Sequence, residues 1–144
     1  MANDTFTLEV VTPARQVVRE TVTEAQIPVL GGYVGVLPGH TPLLAEMGDG
    51  ELTYRVGTRE FSCASFGGFV EVLADRVIVL ADDAERAEEI NVSAAQVERD
   101  KNLILSVTGN DPTVDWKLAQ QNLERAKIRL QVAAKAGALA PENH

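Results

Sequence analysis

The sequence predicts an all-β sandwich followed by a C-terminal antiparallel α-helical hairpin, on three observations. From Phe6 to Ala81 the apolar residues alternate with polar ones or form short runs rich in β-branched side chains, a pattern typical of strands. Near Asp82 the pattern changes to helical. Charge divides the chain at a similar place, since residues 1–90 hold 6 basic and 15 acidic residues whereas residues 91–144 hold 7 and 6. We therefore expect two units, residues 1–86 and residues 87–144.

The strands of the first unit are expected to be short. Residues 6–10 (FTLEV) alternate, and residues 77–80 (VIVL) form a continuous apolar run. Many short strands without helical stretches between them indicate a sandwich or barrel rather than a parallel sheet with crossovers. Turn signals separate the strands at Thr12-Pro13, Gly31-Gly32, Pro38-Gly39, Gly48-Asp49-Gly50, Gly57, Gly67-Gly68 and Asp75.

The first helix of the second unit is expected to begin at residues 93–96 (SAAQ), which fit a capping box, and to run to about Val107. Ala94, Val97 and Ile104 lie on one stripe of this helix, and Lys101 interrupts it. We expect this stripe to face the second helix across a thin seam, which gives a hairpin of modest stability.

The second helix is expected to follow a break at residues 108–110. Asp111 is the expected N-cap, with Pro112 in the first turn and Asp115 at the positive end of the helix dipole, and Gly137 is the expected stop. A heptad seam of alternating large and small residues is predicted at Trp116, Ala119, Leu123, Ala126, Leu130 and Ala133.

Composition excludes several classes of function. Cys63 is the single cysteine, and His40 and His144 are the two histidines, so a zinc site of nitrogen and sulfur ligands cannot be assembled. A net charge of −8 disfavours nucleic acid as a partner. No basic N-terminal region precedes an apolar stretch and no run of about 18 apolar residues occurs, so we expect a soluble, cytoplasm-facing protein without direct membrane insertion.

Two further features are expected to carry no chemistry. Cys63 is predicted to be a small, inert residue packed inside a sheet. The acidic residues 82–89 (DDAERAEE) lack the spacing of a calcium loop and are interpreted as a solvated hinge.

His40 is the one candidate for catalysis, with Ser65 or Asp75 as imagined partners in a hydrolytic triad. No Gly-x-Ser-x-Gly segment exists, so His40 is expected in a turn or an interface and no catalytic residue is predicted. The glycine-rich residues 31–35 (GGYVG) lack the lysine of a phosphate-binding loop and are interpreted as a turn between strands.

Arg125, Lys127 and Arg129 form a basic patch on the second helix, with Arg125 and Arg129 on one face. Such a patch is most often a solvated helix face. In an otherwise acidic protein it is also suited to an acidic partner or a phosphate.

Three segments closely resemble the epsilon subunit of bacterial and chloroplast rotary (F-type) ATP synthases. They are residues 35–44 (GVLPGHTPLL), residues 67–72 (GGFVEV) and residues 79–82 (VLAD). The opening residues 8–13 (LEVVTP) and the helical end, from residues 114–116 (VDW) to residues 125–130, extend the likeness over nearly the whole chain.

The resemblance implies a non-catalytic rotor subunit in the central stalk of the proton-translocating ATP synthase. The sandwich is expected to bind the gamma subunit and the polar loops of the rotor-ring proteolipid subunits, which couples rotation to ATP synthesis. The hairpin is expected either to fold against the sandwich or to extend along gamma into the alpha/beta catalytic head, where it inhibits ATP hydrolysis. The implied location is peripheral, on the cytoplasmic face of the energy-transducing membrane.

The resemblance also assigns contact residues. Tyr33 stands where many relatives have an acidic residue facing the ring, so an aromatic contact is expected there. The inhibitory basic face is expected at Arg125, Lys127 and Arg129. The expected stalk and rotor-ring contacts are Tyr33, Pro38, Gly39, His40, Pro42 and Gly50.

Some members of the family bind ATP between the helices through a segment that begins Ile-Asp-x-x-Arg-Ala. Here residues 90–95 (INVSAA) lack the carboxylate and the arginine, and Lys101 replaces a further arginine. We therefore expect weak ATP binding at most, and no cofactor or metal. Matching positions are held by Glu85, Ile90, Ala95, Arg125 and Arg129.

Two alternatives from other classes of protein remain at this point. In one, the chain is an enzyme with His40 as general base. In the other, it is a stand-alone adaptor whose sandwich binds unrelated acidic or peptide ligands.

Overall fold

Two five-stranded sheets pack face to face and two helices follow, which confirms the predicted fold class. The computed structural model describes residues 4–108 and 111–139, with side chains in the last helix through Ala136. The strands are β1 (Phe6–Val11), β2 (Gln16–Val22), β3 (Glu24–Val29), β4 (Gly32–Val36), β5 (Leu43–Glu46), β6 (Gly50–Val56), β7 (Arg59–Phe66), β8 (Phe69–Val72), β9 (Arg76–Leu80) and β10 (Asp83–Arg86). A 3₁₀ turn (Ala87–Glu89) leads to helices α1 (Val92–Val107) and α2 (Trp116–Leu139).

The chain crosses between the two sheets several times. The first sheet has the strand order β2-β1-β9-β8-β5, and the second has the order β10-β7-β6-β3-β4. The strand pairs are antiparallel except for β1 and β9, which run parallel. Since β4 and β5 are edge strands of different sheets, the loop between them crosses one edge of the sandwich.

The core lies between the sheets because apolar residues occupy alternate positions of the strands. In β1, for example, Phe6, Leu8 and Val10 are buried while the residues between them are half-buried. Every buried member of this cluster lies between Phe6 and Ala84, so the sandwich forms its core without the helices.

Helix α1 ends at Val107 as predicted, but it begins earlier than the predicted capping box. Asn91 is the N-cap, and its side-chain oxygen accepts a hydrogen bond of 3.0 Å from the backbone N–H of Ala94. The amide side chain of Asn91 satisfies a donor of the first turn, so the helix starts at Val92 instead of after Ser93. The next residue after the helix, Thr108, lies in the predicted break, and residues 109–110 lie outside the described residues.

Helix α2 differs from prediction at both ends. The carboxylate of Asp115 accepts a 3.0 Å hydrogen bond from the N–H of Leu118, so Asp115 caps a helix that starts at Trp116. Asp111, the predicted cap, instead closes a separate turn by accepting two hydrogen bonds from Thr113. Gly137 does not stop the helix, which continues to Leu139, because an isolated glycine lowers helix propensity without preventing helix.

The predicted face of α1 is wrong. Val97 and Ile104 are more than 60% exposed, and the residues of this helix that are buried are Ala95 and Asn102. A small side chain and an amide therefore face α2, and the amide of Asn102 donates to the backbone oxygen of Glu98. The apolar stripe on the other side is left uncovered by the described residues.

The predicted seam of α2 holds only in part. Ala119, Leu123 and Ala126 are buried, but Trp116 is about half exposed and donates its indole N–H to the backbone oxygen of Ser106. Val132, which lies off the seam, is fully buried. The C-terminal half of α2 thus turns toward the second sheet. There Ile128, Val132, Ala133 and Ala136 pack against Ala64, Phe66, Ala87 and Ile90.

Candidate interaction surfaces

The loop between β4 and β5 carries four of the predicted stalk and ring contacts: Pro38, Gly39, His40 and Pro42. Gly39 has a φ of +83°, and its N–H donates to the backbone oxygen of Ala74 across 2.9 Å. This bond ties the loop to the turn between β8 and β9. The half-buried ring of His40 has Nδ1 2.6 Å from the backbone oxygen of Thr41, so a backbone group holds the ring at the surface.

Tyr33 and Gly50 lie together, but at the other end of β4. A Cβ atom added to Gly50 would lie 2.8 Å from the hydroxyl of Tyr33 and 2.9 Å from Cβ of Pro28, so the glycine lets these side chains approach. Tyr33 is near the start of β4, whereas the loop with His40 follows its end, roughly 10 Å or more away at the rise of an extended strand. The predicted contact residues therefore form two places on the surface.

An apolar patch on the outer face of the first sheet was not among the predicted contacts. It consists of Leu44, Phe69 and Leu80, which are 72%, 54% and 57% exposed. Phe69 is directly opposite Leu80 in the register, and Leu44 lies diagonally across from Phe69 on β5. The sequence could have predicted part of this patch, because alternation along β8 and β9 places Phe69 and Leu80 at positions that face away from the core.

Arg125 and Arg129 share one face of α2, as predicted, and that face points at the sandwich. Arg125 Nε lies 2.9 Å from Oδ2 of Asp49. Arg129 Nε lies 2.6 Å from Oε1 of Glu85. Both guanidinium groups stand over the ring of Phe66, at 5.2 and 4.6 Å from its centroid. The two arginines are thus paired and stacked rather than solvated.

Lys127 is separated from these arginines by the geometry of the helix. Two residues correspond to roughly 200° of rotation, so Lys127 points to the opposite side. It is exposed and its Nζ lies 3.5 Å from a carboxylate oxygen of Glu124 on the same helix. The predicted basic patch is therefore divided. Arg125 and Arg129 face the sandwich, whereas Lys127 faces solvent.

A cavity of about 440 Å³ lies where β10, the β1–β2 turn and both helices meet. It brings together Glu85 and Arg129 with Asn91 and Ala94, the two positions where the nucleotide segment is incomplete. Ile90 instead belongs to the apolar cluster with Phe66, and Arg125 reaches Asp49.

The charge of the cavity lining is unfavourable for a triphosphate. Two basic side chains, Arg15 and Arg129, line it together with three acidic ones, Asp83, Glu85 and Glu98. Arg129 is also already paired with Asp83 and Glu85. Negative charge in excess opposes an anionic ligand, and weak ATP binding stays a prediction.

The interpretation of residues 82–89 as a solvated hinge is wrong. Asp83 and Glu85 lie in β10, which pairs with β7, and both bind Arg129. Glu89 accepts two hydrogen bonds from the guanidinium of Arg15 and one from the backbone N–H of Arg86. These bonds lower the pKa of Glu89 to about 2, the Arg15 interaction being the largest cause. Ion pairs of these acidic residues therefore hold the segment in place. Their partners Arg15 and Arg129 are distant in sequence, so the composition of the segment could not reveal them.

Cys63 is fully buried in the sandwich, as predicted, and burial raises the pKa of its thiol to about 12. Within residues 4–108 and 111–139 no group of three or more histidine, cysteine, aspartate or glutamate side chains is placed to hold a metal ion. In the same residues no helix has the length and apolar character needed to cross a membrane. His144, the second histidine, lies outside the described residues.

Comparison with known sequences agrees with the sequence resemblance. Residues 5–87 match the family model for the β-sandwich domain of the ATP synthase delta/epsilon chain. The ATP synthase epsilon chain of Solibacter usitatus is 50% identical over 135 residues, which cover 92% of this chain and 98% of the relative. An ATP synthase epsilon chain of Dehalococcoides mccartyi is 43% identical over 131 residues, 89% of this chain and 91% of the relative.

Solved structures share the fold. A chain in the cryo-EM structure of the Euglena gracilis mitochondrial ATP synthase, OSCP/F1/c-ring in rotational state 1, superposes with a TM-score of 0.67 at 20% identity, over 94% of this chain and 81% of that chain. A chain of the central stalk/c-ring structure from Tetrahymena thermophila gives 0.55 at 17% identity, over 91% and 95%.

Proposed function

The chain belongs to the family of ATP synthase epsilon chains, and we propose that its sandwich joins the gamma subunit to the rotor ring while its hairpin inhibits ATP hydrolysis. As an epsilon chain it is a non-catalytic subunit of the stalk, so the alternatives of an enzyme with His40 as base and of a stand-alone adaptor are set aside. The proposal locates it peripherally, on the cytoplasmic face of the energy-transducing membrane.

The observation that carries the proposal for the sandwich is the exposed patch of Leu44, Phe69 and Leu80. Helix α2 lies over β6 and β7, on the other sheet, and the patch stays exposed. A contiguous exposed apolar surface on a rigid sheet suits a lasting protein interface. We assign it to the gamma subunit, since a stalk subunit needs one firm contact that turns with the rotor.

The rotor ring is assigned to Tyr33 with Gly50 and to the loop of Pro38, Gly39, His40 and Pro42. Both places lie at the edge where β4 and β5 end the two sheets. The aromatic ring of Tyr33 is exposed, and the loop is fixed by the bond from Gly39 to Ala74. A polar loop of the ring could therefore contact two fixed points without insertion of this chain into the membrane.

Inhibition is assigned to the basic residues of α2 acting on acidic loops of the alpha/beta head. Lys127 is exposed while the hairpin lies against the sandwich, and its ion pair is with Glu124 on the same helix, so its charge can reach such a partner. Opposite charges steer and stabilise such an encounter, with a strength that falls as salt is added.

Binding of purified gamma to the full chain tests the assignment of the patch. Phe69→Ser together with Leu80→Ser should weaken binding at least about tenfold, because two exposed apolar anchors are lost. The matched control is Val97→Ser with Ile104→Ser, which removes two apolar side chains of α1 that are at least as exposed. Equal binding by the patch variant and the wild type would reject the assignment of the patch to gamma.

Hydrolysis of ATP by the assembled head tests the role of Lys127. Lys127→Gln should relieve part of the inhibition without changing how much of the chain assembles, because the lysine is exposed and points away from the sandwich. Lys117→Gln, which removes the same charge near the start of α2, is the control. Full inhibition by Lys127→Gln at low salt would reject an electrostatic role for this residue.

A further inference from the structure

The contact between α2 and the sandwich is a row of ion pairs. Arg125 binds Asp49, Arg129 binds both Asp83 and Glu85, and Nζ of Lys135 lies 2.6 Å from Oε2 of Glu51. Asp49 lies in the turn before β6, Glu51 lies in β6, and Asp83 and Glu85 lie in β10. Basic residues along α2 thus pair with acidic residues on the outer face of the second sheet.

The apolar part of the same contact is a single cluster. Val132 is fully buried in it beside Phe66, and Ile128, Ala133 and Ala136 are partly buried against it. Phe66 itself lies under the guanidinium groups of Arg125 and Arg129, so the charged residues also provide much of its cover. A contact of this composition depends on its ion pairs more than a wide apolar interface would.

We propose that Asp49, Asp83 and Glu85 form an internal acidic site that holds Arg125 and Arg129 and so competes with the acidic loops of the catalytic head. The inference rests on the proposed inhibitory role of the hairpin. An arginine paired with the sandwich cannot pair with the head at the same time. The docked hairpin is therefore the unavailable form of the inhibitor, and the three acids set how often it is released.

The proposal predicts opposite effects on inhibition for the removal of acidic groups from the sandwich and for the removal of basic groups from α2. Loss of acidic groups on the sandwich should strengthen inhibition, because docking and head binding draw on the same arginines and are linked through one equilibrium. Loss of Arg125 and Arg129 weakens both states, so variants of the arginines cannot separate them. Variants of the acids do, since the acids belong to the docked state alone.

Spin-label distances in the full-length isolated chain measure docking directly. Labels at Thr58→Cys and Ala134→Cys report it, because Thr58 shares a cavity wall with Lys135 and Ala136 of α2, and both label positions are exposed. Native Cys63 does not take up label, because it is fully buried with a thiol pKa of about 12. The ratio of the short-distance to the long-distance population gives the docking equilibrium.

The test variant is Asp83→Asn with Glu85→Gln, which keeps the size of both side chains. Its docking equilibrium should fall roughly three- to tenfold, as expected for the loss of two partly exposed ion pairs. The control, Glu9→Gln with Glu20→Gln, removes the same charge from β1 and β2 of the other sheet and should leave docking unchanged. ATP hydrolysis by the head assembled with the test variant should fall below that with the wild type.

Two results would overturn the proposal in different ways. An unchanged docking equilibrium in the test variant would show that the acids do not hold the hairpin, whatever happens to hydrolysis. Reduced docking with unchanged hydrolysis would show that a released hairpin does not inhibit, so the proposed inhibitory function would fail and the competition with it. Reduced docking with stronger inhibition supports both.

Discussion

Arg15 donates two hydrogen bonds, of 2.9 and 2.8 Å, to the carboxylate of Glu89, which is 74 residues further along the chain. The carboxylate also accepts 3.0 Å bonds from the backbone N–H and the guanidinium of Arg86. The turn that leads to the hairpin is thereby fixed to the β1–β2 turn. The next residue, Ile90, is buried beside Phe66, so the chain is held against the sandwich up to the start of α1.

The first prediction concerns the pH dependence that Glu89 gives to stability. Its pKa is about 2 in the folded chain against an ordinary value of 4.5, so the stabilisation is fully present above pH 4.5 and is lost as the pH falls toward 2. Glu89→Gln should lower the free energy of unfolding by about 1–2 kcal/mol at pH 7.

Urea unfolding of the wild type and Glu89→Gln at several pH values measures this. The difference between the two chains should narrow from pH 4.5 to pH 2. Glu88→Gln, at a more exposed neighbouring carboxylate, should change stability by less than about 0.5 kcal/mol. A constant difference across this range would mean that the Arg15 contact does not depend on the charge of Glu89.

A second prediction concerns Gly68, which follows β7 in a tight turn. Its φ is +93°, and an added Cβ would collide with the backbone oxygen of Leu80. Gly68→Ala should therefore destabilise the chain by about 2–4 kcal/mol, because both the conformation and the space oppose a side chain. Gly57→Ala is the matched control, since Gly57 also has a positive φ of +61° but nothing within 4 Å. Thermal unfolding should show the smaller loss for Gly57→Ala, and equal losses would contradict the steric argument.

The sandwich could be predicted from the sequence because its signals are local. Alternation in strands such as β1 shows which residues face the core. Glycines between strands indicate where the chain turns. The start of α2 was harder to predict, because Asp111 and Asp115 are both good N-cap residues and the sequence does not show which of them begins the helix. The start of α1 was predicted wrongly for the same reason, since Asn91 and Ser93 are both suitable N-caps.

The faces of the hairpin could not be predicted because they depend on partners distant in sequence. Ala95 and Asn102 face α2 although Val97 and Ile104 are more apolar, and Arg125 and Arg129 face the sandwich because Asp49, Asp83 and Glu85 meet there. The apolar pattern of α1 alone favours the wrong stripe. Long-range charge pairing decided the arrangement.

A third prediction concerns the chain that ends at Ile90. It should fold, because the buried core between the sheets lies within residues 6–84, and it should still bind gamma. Uncovering Phe66 should cost about 1.5–3 kcal/mol of stability. ATP hydrolysis by the head should rise when the truncated chain replaces the full chain, and unchanged hydrolysis would contradict inhibition by the hairpin.

The fourth prediction concerns nucleotide. ATP should bind the isolated chain weakly, with a Kd above about 1 mM, because acidic residues outnumber basic ones in the cavity at Arg129. Asn91→Asp with Ala94→Arg should bind at least about tenfold more tightly, since the arginine adds a charge-assisted hydrogen bond to phosphate.

Calorimetric titration separates this from a general effect of charge. Asn91→Asp with Val97→Arg carries the same charges, but its arginine is on the exposed stripe of α1 and should give no gain. Tight binding by the wild type, or an equal gain in the control, would contradict the account of the cavity.

The amount of this chain in ATP synthase isolated from its native membranes tests the central claim most directly. The complex is captured through a tag on a subunit of the catalytic head, and quantitative mass spectrometry compares this chain with gamma. A rotor subunit seated on gamma through Leu44, Phe69 and Leu80 should be recovered in equal amount to gamma, with the rotor ring present. Recovery of the head, gamma and ring without this chain would contradict its role as a stalk subunit.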